Sequence, residues 1–198
     1  MTIFIDMDDT IVATKYYFLL LALKLFKKDL IPEKIEPYLE NDKKLDKEGF
    51  SDYIFEALKD KSRQKAHFIK MNIFNDIDFW INTPPLAEAR DVLRILNKEH
   101  KIYITTAGIG ITTAALEWKV NAIKKYFDFL NPKFQLIYIW DRSLLKGDLL
   151  IEDLPFQIKN FDGKTILINY EYNKNANPDF RANNWKEILE IVRHIETN

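Results

Sequence analysis

The stretch Thr2-Ile-Phe-Ile-Asp-Met-Asp-Asp-Thr10 decides how the rest of the chain is read. Ile3 to Ile5 are apolar at successive positions, as expected of a parallel strand buried on both faces. Directly behind them Asp6, Asp8 and Asp9 place three carboxylates in four positions. Acids this close repel one another unless a cation or hydrogen-bond donors sit between them. Magnesium suits the task, because it is a hard ion that takes oxygen ligands and keeps waters and substrate phosphate in its shell. Asp6 is then placed to attack phosphorus as a carboxylate nucleophile. Asp8, two residues on, is placed to protonate a leaving oxygen and later to activate water. The structural alternative is that Asp8, Asp9 and Thr10 cap a following helix.

Further short apolar runs ending in polar clusters extend the pattern, at Ile102 to Ile104, Leu136 to Trp140, Leu149 to Ile151 and Ile166 to Ile168. Helical stripes lie between them. Leu86, Ala89, Leu93 and Leu96 follow Pro84-Pro85, which predicts a helix opened by the prolines. Trp185, Ile188, Leu189, Val192 and Ile195 form another stripe, with Asn184 and Glu187 spaced like a capping box. Alternating strands and helices predict an α/β fold, a doubly wound parallel sheet. Residues 13–82 break the alternation. They are rich in charged and aromatic residues and carry no buried-strand signal, and Tyr16 to Phe26 is apolar around most of a helix. This segment reads as a small helical cap inserted after the first strand, leaving 1–12 and 83–198 as the core domain.

Composition sets the remaining bounds. At 198 residues, 47% hydrophobic and 30% charged, the chain suits one α/β domain with an insertion. A net charge of -1 offers no global attraction to a nucleic acid polymer or an acidic membrane, so an anionic substrate has to be held locally. The absence of cysteine excludes disulfides and thiolate chemistry. The chain opens on a strand without a basic leader, and its most apolar stretch is interrupted by Lys24 and falls short of the roughly 20 residues a membrane span needs. A cytoplasmic location is expected.

Ligands in open α/β sheets bind beyond the carboxyl ends of strands, so chemistry is sought there. The second strand runs into Thr105-Thr106-Ala107-Gly108, where the Thr106 hydroxyl and the following backbone N–H groups form a candidate phosphate cradle, although capping alone also accounts for threonines. Gly108, Gly110, Gly147 and Gly163 all fall beside strand ends or in loops. Leu149-Leu-Ile-Glu-Asp153 repeats the acidic strand end, and Glu152 and Asp153 can share a metal with Asp6. Lys119 and Lys146 are the lysines on offer for a phosphoryl oxygen. His67, His100 and His194 do not cluster with these signals and read as surface residues. The aromatics Tyr16, Tyr17, Phe50, Tyr53, Phe79 and Trp80 read as cap core, with one or two left to stack on a base.

Taken together, Asp6-Met-Asp-Asp-Thr10, Thr106, a lysine and the acidic pair resemble the four motifs of the haloacid dehalogenase superfamily. Trp118-Lys119 with Lys125-Tyr126-Phe127, Asp148-Leu-Leu-Ile-Glu-Asp-Leu-Pro155 and Asn184-Trp-Lys-Glu-Ile-Leu189 resemble its 5'(3')-deoxyribonucleotidase branch. The resemblance implies a magnesium-dependent phosphomonoesterase acting on a nucleoside monophosphate through an aspartyl-phosphate. It implies Asp6 as nucleophile and metal ligand, Asp8 as acid/base that also gives the metal its backbone carbonyl, and Asp153 as metal ligand. Thr106, the Ala107 backbone N–H and Lys119 would bind phosphate, with Lys146 the fallback lysine, and Glu152 would support the phosphate site or a metal-bound water. A homodimer is compatible with it. The chain departs from the branch at Asp9-Thr10, where Gly-Val is usual, at Ala107 in place of a hydroxyl residue, at the longer Glu152, and at Trp140-Asp141-Arg142 in place of Thr-Arg-Asp-Lys.

Overall fold

In the computed structural model, which describes residues 1–107 and 114–197, six parallel strands form one sheet in the order β3-β2-β1-β4-β5-β6. The strands are β1 (Thr2–Asp6), β2 (Lys101–Thr106), β3 (Leu136–Tyr138), β4 (Leu149–Glu152), β5 (Lys164–Ile168) and β6 (Phe180–Ala182). All five apolar runs form strands, the run at Leu136 ending at Tyr138 rather than Trp140. The edge strand β6, Phe180-Arg-Ala182, was not expected, because three residues with a central arginine carry no apolar run.

Successive side chains of the central strands point to opposite faces, and both faces are apolar. Ile3, Ile5, Leu149, Ile151, Ile166 and Ile168 belong to the main core, whereas Phe4, Leu150 and Leu167 belong to a second cluster with Leu145, Ile158 and Phe161. The main core is completed by α6 (Ala89–Glu99), α7 (Ala114–Tyr126) and α10 (Trp185–Thr197). Short α8 (Pro132–Gln135) and α9 (Pro155–Ile158) precede β3 and follow β4. The glycine at 147 has a packing reason: a Cβ there would stand 2.6 Å from the Phe4 ring.

Between β1 and α6 lie α1 (Thr14–Phe26), α2 (Glu36–Glu40), α3 (Phe50–Ala57), α4 (Arg63–Phe74) and α5 (Ile77–Asn82). Aromatic rings join them: Phe50 and Phe74 lie 4.8 Å apart, as do Phe79 and Trp80, and Phe18 meets Phe50, Phe74 and Phe79. The prolines at 84 and 85 do not open α6, which starts at Ala89 after Glu88 in a left-handed turn. They lie where the chain returns to the sheet. There Pro84 accepts a hydrogen bond from Ala13 N–H at 2.8 Å, and Pro85 bridges Val12. At α10 the Asn184 side chain accepts from Glu187 N–H at 2.9 Å, while the Glu187 carboxylate reaches back one residue further than a capping box does, to Asn183 N–H at 2.8 Å. His100 is not a surface residue: its imidazole is 2% exposed, with Nε2 3.5 Å from Glu196. His67 and His194 are exposed.

Trp185, 1% exposed, ties α10 to the turn after β1 through Nε1–H donation to Thr10 O at 2.9 Å. Trp185→Ala is expected to cost about 3–5 kcal/mol in urea unfolding, and Trp185→Phe less than half of that. A loss below about 1 kcal/mol for the alanine variant would contradict this packing.

Candidate active site

The sheet order reverses beside β1: the chain builds outward through β2 and β3, then returns to place β4 on the other side of β1. The crevice beyond the strand ends at such a switch point is where α/β sheets bind ligands. Register fixes which residues line it. Asp6 pairs with Thr105, and Ile5 with Ile151, so Asp6, Thr106, Glu152 and Asp153 all emerge at one edge of the sheet. Oxygens of Asp6, Glu152 and Asp153 lie within 4.8 Å of one another, and all three residues are buried.

The turn after β1 folds tightly, with Asp9 N–H bonded to Val12 O at 2.8 Å and both Ile11 and Val12 N–H groups reaching Met7 O. Asp9 takes a φ of 54°, in the left-handed region that favours glycine and tolerates aspartate. Such a turn suits glycine and admits aspartate.

Asp8 faces the β2 side. Lys119, fully buried on α7, donates to Asp8 Oδ2 and to Thr106 Oγ1, the latter at 2.6 Å. Thr106 Oγ1 stands 3.4 Å from Asp8 Oδ2, and Thr14 Oγ1 donates to Asp8 Oδ1 at 2.9 Å. The structure thus brings Asp6, Asp8, Thr106, Lys119, Glu152 and Asp153 together, and Ala107 lines a cavity with Asp6, Asp8 and Asp153. Lys146 is not among them: its side chain is 75% exposed and lies 3.8 Å from Asp162. Gly108, the last residue of the expected phosphate cradle, lies outside the described residues, as does Gly110.

Two cations of the site were not singled out in the sequence. Arg142, 1% exposed, bonds Asp6 Oδ1 through Nη2 at 2.5 Å and stands with Nε 3.4 Å from Glu152 Oε1. Lys15, 3% exposed, bonds Asp9 Oδ2 at 2.9 Å and lies 3.4 Å from Asp153 Oδ2. Asp153 Oδ2 also accepts from Tyr172 O–H at 2.5 Å, and its backbone carbonyl accepts from Asn173 at 2.8 Å. Glu152 Oε2 accepts from the Asp153 and Leu154 N–H groups at 2.9 and 3.0 Å. Glu152 Oε1 and Asp153 Oδ1 are buried and have no hydrogen-bond partner among the described residues. Buried carboxylate oxygens without a hydrogen bond are costly even with Arg142 Nε 3.4 Å from one of them, and a hard cation satisfies them without further protein donors. The donor set is all oxygen, which fits magnesium.

Burial dominates the titration of Asp6, Asp9 and Glu152. It pushes Asp6 up to about 7, against the Arg142 charge and with Asp153 and Asp8 adding repulsion. It pushes Asp9 up to about 6 despite Lys15, and raises Glu152 well above the usual carboxylate range, with Asp6 and Asp153 adding to the effect. For Lys15 burial works downward, but Asp9 and Asp153 outweigh it and the ammonium is held more tightly than usual.

A cavity of about 120 Å³ collects Asp6, Asp8, Asp9, Lys15, Arg142 and Asp153 under Glu48 and Phe50 of the helical insertion. It shares Glu48, Trp140 and Leu154 with a wider groove of about 650 Å³ that also takes in Asp46, Asp52, Phe156 and Tyr172. Of the cap aromatics considered for stacking, Phe50 lines the cavity while Tyr53, Phe79 and Trp80 are core. The exposed rings at the groove are Trp140, 65% exposed, and Phe156, with centroids 5.9 Å apart.

A family model described as 5' nucleotidase, deoxy (pyrimidine), cytosolic type C protein matches residues 1–196. The chain belongs to this nucleotidase family. It is a hydrolase of phosphomonoesters with a haloacid dehalogenase-like fold. The Bacillus subtilis 5'(3')-deoxyribonucleotidase is 28% identical over 116 residues, 57% of this chain and 64% of that protein. A Staphylococcus epidermidis protein provisionally designated 5'(3')-deoxyribonucleotidase is 29% identical over 126 residues, 64% of this chain and 69% of its own. A haloacid dehalogenase-like hydrolase from Streptococcus pneumoniae superposes with a TM-score of 0.62 at 16% identity, over 96% of this chain and 97% of that one. A provisionally assigned hydrolase of the same superfamily from Bacillus subtilis, solved bound to magnesium, gives 0.56 at 15%, with the same coverage. No helix among the described residues is long and apolar enough to cross a membrane.

Asp6, Asp9 and Glu152 bind protons more tightly folded than unfolded. The stability this confers is present at low pH and is lost as pH rises through their folded values, which for Asp6 means from about 4 to about 7. With chelator present, the melting temperature is expected to fall between about pH 5 and about pH 7.5, read by scanning fluorimetry. A flat or rising profile would contradict the burial of these acids as ionisable groups.

Proposed function

We propose that the nucleotidase is a magnesium-dependent enzyme that dephosphorylates deoxynucleoside monophosphates through an aspartyl-phosphate on Asp6. The observation that carries this reading is the convergence of Asp6, Glu152 and Asp153 beside the Lys119–Thr106 pair at the switch point. Asp6 and Asp153, with the Asp8 carbonyl, would hold the ion, and a Glu152 carboxylate oxygen lies within 4.8 Å of theirs. When bound, the ion supplies charge neutralisation to the acids and to the phosphoryl oxygens. The magnesium in the Bacillus subtilis structural relative agrees with that choice of metal.

In the reaction, an Asp6 oxygen forms a bond to phosphorus as the bond from phosphorus to the ester oxygen breaks, and Asp8 gives its proton to the departing alkoxide. Asp8, now ionised, takes a proton from water, whose oxygen attacks phosphorus and releases inorganic phosphate and free Asp6. Lys119, Thr106 and the Ala107 N–H are the groups that receive phosphoryl oxygens. Arg142 joins them, as a guanidinium already held against Asp6 and able to turn its donors to phosphate. Residues 13–82 act as the cap that brings Glu48 and Phe50 over the cavity and excludes water. The leaving nucleoside occupies the groove, where Trp140 and Phe156 offer ring faces to a base.

Phosphate release from a panel of deoxynucleoside 5'- and 3'-monophosphates is expected only with a divalent ion present. Asp6→Asn is expected to lower it by about three orders of magnitude or more, and Lys119→Met by about a hundredfold or more in kcat/KM. No turnover of any phosphomonoester by a protein that binds magnesium would defeat the reading.

A further inference from the structure

The aspartate at position 9 does no work in the reaction as described, yet it is a carboxylate only 2% exposed. Its two oxygens are spent on one residue: Oδ1 accepts from the Lys15 backbone N–H at 2.8 Å, and Oδ2 from Lys15 Nζ at 2.9 Å. The same ammonium lies 3.4 Å from Asp153 Oδ2 and 4.6 Å from the centroid of the Tyr172 ring. Donors therefore crowd one oxygen of Asp153, with Tyr172 O–H at 2.5 Å as the second, while Oδ1 is left bare and buried. A buried ammonium between two carboxylates divides its charge between them according to distance. Here the nearer partner is Asp9.

We propose that Asp9 is a positioning residue that acts through Lys15 on the metal ligand Asp153, holding the Lys15 charge so that Lys15 orients Asp153 without competing with the ion for it. The inference rests on the reading of Asp153 as a ligand. Without the Asp9 charge, Lys15 would turn wholly to Asp153 and stand as a rival cation beside the site. A neutral residue at 9 is then harmless only if 15 is neutral too, which makes the two positions a coupled pair.

Calorimetric titration of magnesium into the full chain tests this. Asp9→Asn keeps a side chain tolerant of the left-handed turn and the acceptor for Lys15 N–H, and replaces the oxygen that holds the Lys15 ammonium by an uncharged amide NH2 group that cannot accept from it. It is expected to weaken magnesium binding by roughly tenfold or more. Adding Lys15→Met to it is expected to recover most of that loss. Wild-type affinity in Asp9→Asn would overturn the proposal, as would a double variant that binds no better than the single one. A pair that merely stabilises the fold would lower the melting temperature in chelator and leave magnesium affinity unchanged, which also overturns it. If the wild-type chain takes up no magnesium, the reading of Asp153 as a ligand falls first, and this inference with it.

Discussion

Burying like charges at one edge of a sheet is the constraint on which this structure depends. Asp6, Asp8, Asp9, Glu152 and Asp153 converge from two strand ends, and among the described residues the cations paired with them are Lys15, Lys119 and Arg142. If all five were ionised they would exceed these three cations by two charges, a surplus that a divalent ion or protons on the acids offset. Without an ion, burial and mutual repulsion raise the proton affinity of Asp6 and Glu152, which eases that excess. Folding tolerates the arrangement because the surrounding sheet is apolar on both faces and the turn after β1 is pinned by Trp185 and by Tyr170, whose O–H donates to Asp9 O at 2.9 Å.

Charge pairing also divides the site into two halves. On the β2 side, Lys119 and Thr106 gather around Asp8, a cluster of donors suited to phosphoryl oxygens. On the β4 side, Lys15 and Tyr172 gather around Asp153, and Arg142 spans from Glu152 to Asp6 between the halves. The helical insertion contributes Glu48 and Phe50 above this divide, so the inner cavity is small while the groove outside it is broad. A small phosphate and a larger leaving group are what such a step in width accommodates.

The sheet was largely legible because its strands are continuous apolar runs ending in polar residues, a signal local to each segment. The acids were legible for the same reason, since Asp6 and Glu152-Asp153 stand directly at strand ends. Their cations were harder to find. Lys15 looks like an ordinary lysine beside Thr14, and its burial follows only from sharing a helix face with Leu19 and Ala22, spaced four and seven residues on. That spacing was the available signal. Arg142 lies in the loop before β4, where nothing local distinguishes it from a surface arginine, and its partner Asp6 is 136 residues away in the chain. The strand β6 and the buried His100 were likewise set by tertiary packing rather than by local pattern, and the prolines at 84 and 85 serve the return to the sheet rather than a helix start.

Crystals of the protein grown with manganese, examined for its anomalous scattering, address the charge excess most directly. A single strong peak is expected at the switch point, within direct coordination distance of carboxylate oxygens of both Asp6 and Asp153. A protein that scatters no such peak there, or that carries the ion elsewhere with Arg142 still bound to Asp6, would contradict it.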